Sequence, residues 1–147
     1  VIEIPRWSLL KRGSTGRIDF VSPLPCPYNY GSVPSHLGLE GDLLDALVLG
    51  PRLPRGTRLR VPVRGAVGLT DRGLYDDKLV CSAAPLSPGQ RARVLAFFRL
   101  YARAKGLLNG LRRQSRVNRS EGWQGTRAAL ARARPRGPGW QGPPVPF

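Results

Sequence analysis

The sequence predicts an α+β fold, with a small and mostly antiparallel β-barrel or sheet followed by helices. Its length of 147 residues and its hydrophobic content of 41% suit one domain with a single modest core. The first half contains short apolar runs separated by Pro and Gly, which is typical of strands and turns. From residue 87 onward the apolar spacing becomes helical.

Five short runs in the first half have the composition or the alternation of strands. TRLRVPVRG alternates most clearly, and Pro62 within it indicates an edge strand or a bulge. AVGLT and KLVCSA are predicted to form a hairpin through DRGLYDD. The predicted strands are residues 1–4, 17–21, 57–65, 66–70 and 78–83. Residues 23–34 are rich in proline and are predicted to form a loop.

Two helices are predicted in the second half. Ser87 is a suitable N-cap and Pro88 suits a first helical turn, so we expect an amphipathic helix from there to Gly106, lying on the sheet. A second helix is predicted from about Ser120 through residue 134. The last thirteen residues contain five prolines and three glycines. We therefore expect a domain of residues 1–134 and a disordered tail of residues 135–147.

The charge balance favours polyanionic partners. The chain has 24 basic and 9 acidic residues, a net charge of +15 and a pI near 11.5. Such a field attracts phosphates, nucleic acid or acidic membrane surfaces without selecting among them. Because only three of the basic residues are lysine, a bias in gene composition toward arginine explains the charge equally well.

Several classes of protein are disfavoured by the remaining composition. Cys26, Cys81 and the single histidine, His36, lack the paired spacing of a zinc site, and the cysteines are expected to be ordinary buried thiols. One histidine also gives little support to hydrolases that use a Cys–His or Ser–His pair. The sequence has no run of about 18 apolar residues and no secretory signal at VIEIPRW, so a cytoplasmic protein without membrane contact is expected.

Acidic residues are concentrated in two segments. Six of the nine acids fall between residues 40 and 77, in EGDLLD and DRGLYDDK. Glu40 and Asp42 share one face of an extended segment, and a turn would bring Asp45 beside them. In the second segment Asp76 and Lys78 share a strand face, while Asp77 points to the other face and Asp71 begins the turn.

Carboxylates that converge in this way raise one another's pKa unless a divalent cation lies among them. Oxygen ligands of this kind suit Mg²⁺ or Mn²⁺. The alternative interpretation is that EGDLLD is a polar turn and DRGLYDD a solvated hairpin loop. The apolar residues that flank EGDLLD favour the metal site, since half-buried carboxylates need partners.

Six blocks carry a family resemblance: VIEIP, PYNYG, EGDLLDALV, GLTDRGLYDDKLV, FFRLYA and EGW. In this order and spacing the chain resembles the family I soluble inorganic pyrophosphatases over roughly residues 1 to 131. The resemblance implies an OB-like, five-stranded antiparallel β-barrel with two flanking helices. It also implies Mg²⁺-dependent hydrolysis of pyrophosphate to two phosphates by a metal-activated water.

The resemblance assigns roles to individual residues. Asp42 is the expected general base, and Lys78, Tyr30 and Tyr101 are expected to contact the phosphates. Lys11 and Arg17 are candidates for further cationic contacts. The implied metal ligands are Glu40, Asp45, Asp71, Asp76 and Glu3. For Tyr30 and Tyr101 a packing role is the alternative, and for Lys78 a solvated strand position.

The chain departs from the family pattern at several positions. Glu40 replaces the usual aspartate, Arg72 the usual glutamate, and Ala102 a phosphate-binding lysine. Arg72 is either a surface residue or a substitute anion contact. The tyrosine expected early in the PYNYG block is shifted, which leaves Cys26 or Tyr28 in its place.

These departures keep a second function open. A catalytically weak relative would act as a polyanion- or nucleic-acid-binding module, because residues 91–136 carry thirteen basic residues and one acid. The hydrolase is the favoured interpretation, with pyrophosphate as substrate and a homo-oligomer as the expected assembly. Nucleic acid binding through the basic helices is the less favoured partner prediction.

Overall fold

The chain forms two helices and nine strands in the described residues. The structure is a computed structural model, and it describes residues 1–8, 10–12, 18–21, 24–71, 74–111 and 119–142. The elements in chain order are β1 Ile2–Ile4, β2 Leu10–Arg12, β3 Ile18–Val21, β4 Asn29–Leu37, β5 Leu43–Val48, β6 Val63–Asp71, β7 Leu74–Cys81, α1 Pro88–Leu111, β8 Arg119–Gln124, α2 Thr126–Arg132 and β9 Arg134–Pro135.

Seven of the strands form one sheet in the order β1-β4-β5-β7-β6-β8, with β9 also paired to β4, while β2 and β3 form a separate hairpin. The α+β class and the two helices are confirmed. The sheet has more strands than the five expected, and it is open: no pairing of described residues joins β1 to β8.

One strand pairing is parallel, which the mostly antiparallel expectation did not include. β7 pairs parallel to β5, because β6 and β7 form the predicted hairpin and β7, rather than β6, lies next to β5. The segment between β5 and β6 must therefore carry the chain past β7. Asn29, which is fully buried, holds this segment: its Oδ1 accepts from Leu53 N at 2.8 Å and its Nδ2 donates to Pro51 O at 2.8 Å.

Four local predictions differ from the structure. Residues 29–34, which were predicted to belong to a loop, form part of the strand β4, whereas residues 57–62 are outside any ladder and the strand begins at Val63. The helix α1 continues past Gly106 to Leu111. Residues 119–124, where a helix was predicted to start, form β8 against β6, because pairing with an open strand edge outweighs a local capping signal.

Two hydrophobic clusters cover the two faces of the sheet. On one face, Leu47, Val67 and Val80 pack with Val94 and Phe98 of α1. The other cluster contains Ala129 of α2 packed with Leu44, Ala46, Ala66, Leu79 and Cys81. The strand residues that enter the two clusters alternate along β5, β6 and β7, as the period of two requires.

The start of α1 follows the predicted capping chemistry. Ser87 Oγ accepts from Gln90 N at 3.2 Å, and Gln90 Oε1 accepts from Ser87 N at 2.8 Å, which is a reciprocal capping box. Cys26 and Cys81 are buried free thiols, as expected. None of the helices in the described part of the chain is long and apolar enough to cross a bilayer.

Residues that follow the predicted domain boundary at 134 pack on the sheet. Arg134 and Pro135 pair with β4 as β9, and Arg136 N donates to Ser35 O at 2.9 Å. The tail is described as far as residue 142, and residues 143–147 lie outside the described residues.

Candidate active site

The strand register brings the two acidic segments together. Asp45 on β5 lies opposite Ser32 on β4 and opposite Lys78 on β7. Paired residues on neighbouring strands point to the same face, and Asp76 lies two residues before Lys78. The side chains of Asp45, Asp76 and Lys78 therefore share the face that α1 partly covers. The parallel pairing of β5 with β7 creates this arrangement.

Lys78 connects the two segments directly. Its ammonium donates to Asp45 Oδ2 and to Asp76 Oδ2, and the Tyr30 hydroxyl also donates to Asp45 Oδ2. The side chains of Lys78, Asp45 and Asp76 are 8%, 13% and 14% exposed, so these charges are largely removed from water. The solvated-lysine alternative for Lys78 is therefore wrong.

The environment shifts the pKa of both donors. Burial alone would lower the pKa of Lys78, but Asp45 and Asp76 raise it well above its ordinary value, so the ammonium stays charged. Burial raises the pKa of Tyr30 well above its ordinary value, and Asp45 adds to the shift, so the phenol stays protonated and remains a hydrogen-bond donor. The aromatic ring of Tyr30 also lies 5.8 Å from the Lys78 ammonium.

Glu40 lies beside this group with its carboxyl turned inward. Burial and, next to it, the negative charge of Asp76 raise the pKa of Glu40 to about 8, although the nearby Lys78 ammonium opposes the shift. Its Oε2 is buried and has no hydrogen-bond partner among the described residues. The longer side chain fits because Gly38 has no Cβ: a Cβ there would lie 2.6 Å from Glu40 Oε1. The charge of Lys78 therefore compensates this carboxyl only in part.

Asp42 lies in the same turn, between β4 and β5. The turn is closed by hydrogen bonds from Gly38 N to Asp42 O at 2.8 Å and from Gly41 N to Gly38 O at 3.2 Å. Asp42 Oδ1 accepts from Leu43 N at 2.7 Å. Gly41 has a φ of 87°, a conformation that favours glycine. Asp42 is thus held at the start of β5, three residues before Asp45.

Glu3 extends the row of polar groups to the edge strand β1. Its Oε1 accepts from Ser32 Oγ at 2.6 Å, and Ser32 lies opposite Asp45. The row crosses four neighbouring strands, from β1 through β4 and β5 to β7. Ser32 was not predicted, although the period-two spacing from Tyr30 along β4 points to it.

Other predicted residues are not brought into this group by the described contacts. Tyr101 packs against Phe97 and Phe98 on α1, with ring centroids 6.0 and 6.4 Å away, which supports its packing alternative. Asp71 is the last residue of β6, opposite Leu74, and Lys11 lies in β2. The side chains of Asp71 and Lys11, like the whole of Arg17 and Arg72, lie outside the described residues.

The departures from the family pattern are accommodated by packing. Ala102 is buried at 6% exposure on α1, and Tyr28 packs edge-on against Phe97. Burial raises the pKa of Cys26 to about 11, which keeps its thiol protonated. Asp77 points to the opposite face, as predicted, where it accepts two hydrogen bonds from Arg132 at 2.7 and 3.0 Å.

Within the described side chains, no three acidic, cysteine or histidine groups converge tightly enough to form a metal cage. Asp45 and Asp76 both accept from the Lys78 ammonium, which balances one of their two negative charges. The site in this arrangement is a partly compensated cluster, in which the described residues leave Glu40 Oε2 and Asp76 Oδ1 buried without a hydrogen-bond partner.

The protein is an open, OB-like sheet protein with a polar site on one face of the sheet. That site contains a lysine and several carboxylates from two separate segments of the chain. Residues 1–131 match the inorganic pyrophosphatase family. The chain belongs to that family, and the family assignment made from the sequence is confirmed.

Solved structures of the family share this fold. The inorganic pyrophosphatase of Thermus thermophilus has a TM-score of 0.72 at 28% identity, covering 90% of this chain and 84% of that chain. The enzyme of Helicobacter pylori has a TM-score of 0.71 at 25% identity, covering 89% and 85%. The OB-like α+β fold is thereby confirmed.

Curated relatives are similar over a shorter region. The soluble inorganic pyrophosphatase 2 of Chlamydomonas reinhardtii is 36% identical over 122 residues, which is 69% of this chain and 63% of the relative. The inorganic pyrophosphatase of Haemophilus influenzae is 36% identical over 92 residues, 57% of this chain and 52% of the relative. The chain thus spans about half to three fifths of the length of these relatives.

Proposed function

We propose that this protein hydrolyses inorganic pyrophosphate to two phosphates with Mg²⁺ as its cofactor. The observation that carries the proposal is the contact of Lys78 with both Asp45 and Asp76, beside the half-buried Glu40. A solvated hairpin loop does not explain buried carboxylates from two separate segments. Membership of the pyrophosphatase family supports the same chemistry.

The residues present fit a divalent cation. The donor set consists of carboxylate oxygens, which Mg²⁺ prefers and Mn²⁺ accepts. Glu40 has a buried oxygen without a hydrogen-bond partner among the described residues, and its raised pKa shows that its ionised form needs a positive neighbour. We propose Glu40, Asp45, Asp71, Asp76 and Glu3 as the metal ligands.

Bound divalent cations would make a coordinated water acidic enough to supply hydroxide near neutral pH. The residues of the chain orient that reaction. Asp42, held in the turn next to Glu40, is the proposed general base. Lys78 and Tyr30 are donors that remain protonated at neutral pH, and we propose that they bind phosphate oxygens.

We propose Lys11 and Arg17 as further cationic contacts to the substrate, and Tyr101 as a further contact to its phosphates. Phosphoryl transfer depends mainly on such positioning and charge stabilisation. Because Ala102 supplies no cation, we expect the affinity for pyrophosphate to depend strongly on Lys78. The homo-oligomer and the cytoplasmic location stay predictions.

The test is phosphate release from pyrophosphate with Mg²⁺, compared between the unmodified protein and Asp42→Asn. Loss of the base should lower kcat by about a hundredfold or more. Glu121→Gln is the matched control, since Glu121 is a carboxylate on β8 without a proposed role in the reaction, and it accepts from Thr70 at 2.5 Å.

Equal release by the unmodified protein and Asp42→Asn would contradict the assignment of the base. No release from either protein, together with salt-sensitive binding of nucleic acid, would favour the polyanion-binding alternative.

A further inference from the structure

We propose that residues 134–142 form a strap that holds the turn between β4 and β5, and that Trp140 is a positioning residue for Asp42. This inference rests on the proposed function, because it assigns a purpose to the strap through the proposed general base. The strap begins after the residues that match the family, which end at 131.

The strap starts from a fixed point. Arg132, the last residue of α2, donates from Nε and Nη2 to the two oxygens of Asp77, which is 6% exposed. A two-point arginine–carboxylate contact of this kind restricts orientation as well as distance. Ala133 then has extended backbone angles, with φ −71° and ψ 144°, so the helix ends and the chain turns along the sheet.

The next residues run along the far end of β4. Leu37 pairs with Arg134 and His36 with Pro135, and Arg136 N donates to Ser35 O at 2.9 Å. These contacts involve the last residues of β4, directly before the turn that contains Glu40 and Asp42. The strap is therefore aligned with this turn by backbone pairing.

Trp140 makes the contact with the turn itself. A tight turn closed by Trp140 N and Gly137 O at 3.3 Å reverses the chain, and the Arg136 guanidinium lies 5.7 Å from the centre of the Trp140 ring. The indole Nε1 then donates to Gly41 O at 3.0 Å. Residues 99 positions apart in the sequence are thus joined by one hydrogen bond.

The hydrogen bond from Trp140 acts on the peptide group directly before Asp42. The Gly41 carbonyl belongs to the peptide group that connects Gly41 to Asp42. Gly41 has a φ of 87° and no side chain. Because glycine has the least restricted backbone, Gly41 itself does little to prevent rotation of this peptide group. The bond from Trp140 restrains that rotation. Without it, Asp42 would sample more orientations at the moment of reaction.

The experiment compares the full chain with its Trp140→Phe variant, which keeps an aromatic ring for Arg136 but lacks the N–H donor. The exchange of the Gly38 and Gly41 amides, which donate within the turn, is followed by NMR without metal. We expect it to rise about three- to tenfold, as the loss of one hydrogen bond implies. In the activity assay kcat should fall about tenfold, while KM for pyrophosphate changes much less.

Trp7→Phe is the matched control. Trp7 is also a tryptophan next to an arginine, with Arg6 at 5.5 Å from its ring, but it is 58% exposed and lies before β2. It should leave amide exchange in the turn and kcat unchanged. Thermal melts of both variants establish that each is folded at the assay temperature.

The outcomes separate the strap from the proposed function. Unchanged amide exchange in folded Trp140→Phe, or faster exchange with an unchanged kcat, would overturn the positioning role. If the unmodified protein releases no phosphate, the proposed function fails, and the strap is then judged by the amide exchange and by a Mn²⁺ titration. Faster exchange with weaker Mn²⁺ binding would still support its hold on the turn, and unchanged values of both would overturn it.

Discussion

Lys78 and Glu40 are the two residues that define the electrostatics of the site. Lys78 is buried and charged because two carboxylates raise its pKa, and a buried pair of this kind is strongly destabilised when one partner is removed. Glu40 is in the opposite situation, since burial and the negative charge of Asp76 disfavour its charged form. Lys78 explains how the two acidic segments stay together, and Glu40 supports the proposal that they hold a cation.

The pH dependence of stability follows from Glu40. Its pKa rises from 4.5 to about 8 on folding, so between these values the folded protein keeps a proton that the unfolded chain has lost. The free energy of unfolding due to this group therefore falls as pH rises through that window. Glu40→Gln, which cannot ionise, should be stabilised relative to the unmodified protein at pH 8.5 and much less so at pH 5.

Thermal melts at both pH values, in buffer with a chelator, measure this difference. Glu121→Gln is the control, because hydrogen bonds from Thr70 and Arg119 lower the pKa of Glu121. Removal of this carboxylate should therefore lower Tm instead of raising it. An equal change of Tm for Glu40→Gln at both pH values would contradict the prediction.

At the level of elements, the turn between β4 and β5 holds both Glu40 and Asp42 in five residues, 38–42. It is closed by its own backbone hydrogen bonds and by the contact from Trp140. The glutamate at position 40 depends on the glycine at position 38, since the carboxyl occupies the space that a Cβ would fill. The longer side chain at position 40 therefore requires a residue without a Cβ at position 38.

Gly38→Ala tests this coupling. The added Cβ would lie 2.6 to 2.8 Å from the Glu40 carboxyl atoms, so the carboxyl must move away from its present position. We expect the affinity for Mg²⁺ to fall about tenfold or more, as for other changes beside a metal ligand, while Tm changes little. Calorimetric titration with Mg²⁺ measures the affinity. Gly89→Ala is the matched control, because its Cβ would have Ser87 Oγ as nearest neighbour at 4.0 Å.

A retained Mg²⁺ affinity in folded Gly38→Ala would mean that Glu40 does not hold the metal. A large loss of Tm without a loss of affinity would instead assign Gly38 to stability alone.

In the whole molecule, one sheet carries two hydrophobic clusters on opposite faces. Leu47 and Val80 belong to the cluster under α1, while Ala46 and Leu79, their neighbours along the same strands, belong to the cluster under α2. Because β5 and β7 contribute to both clusters, neither face can open without disturbing the other. The polar row lies on the α1 side and depends on both.

The reactivity of the two cysteines can show whether the two clusters unfold together, since Cys26 lies in one cluster and Cys81 in the other. Burial raises the pKa of both thiols to about 11, so neither should react with a thiol reagent at pH 7 to 8 in the folded protein. During urea unfolding both should become reactive at the same midpoint, which coincides with the loss of circular dichroism.

Single Cys26→Ser and Cys81→Ser variants assign each signal. Labelling of either thiol well before the main transition would contradict a single cooperative unit.

The amino-acid sequence alone determined the features that depend on local spacing. Ser87 and Pro88 marked the start of α1, the alternation around DRGLYDD predicted the β6–β7 hairpin, and the separation of Asp76 and Lys78 from Asp77 followed from the period of two. The motif blocks led to the family, which their order and spacing resemble.

Only the tertiary structure decided which distant segments meet. The parallel register of β5 with β7 places Lys78 between Asp45 and Asp76, the edge of β6 turns residues 119–124 into a strand, and the bond from Trp140 to Gly41 joins residues 99 positions apart. Periodicity describes the direction of a side chain relative to its own backbone, whereas strand pairing is selected by the packing of the complete chain. For that physical reason the convergence of the two acidic segments was predicted, but the specific contacts of Lys78 with Asp45 and Asp76 were not.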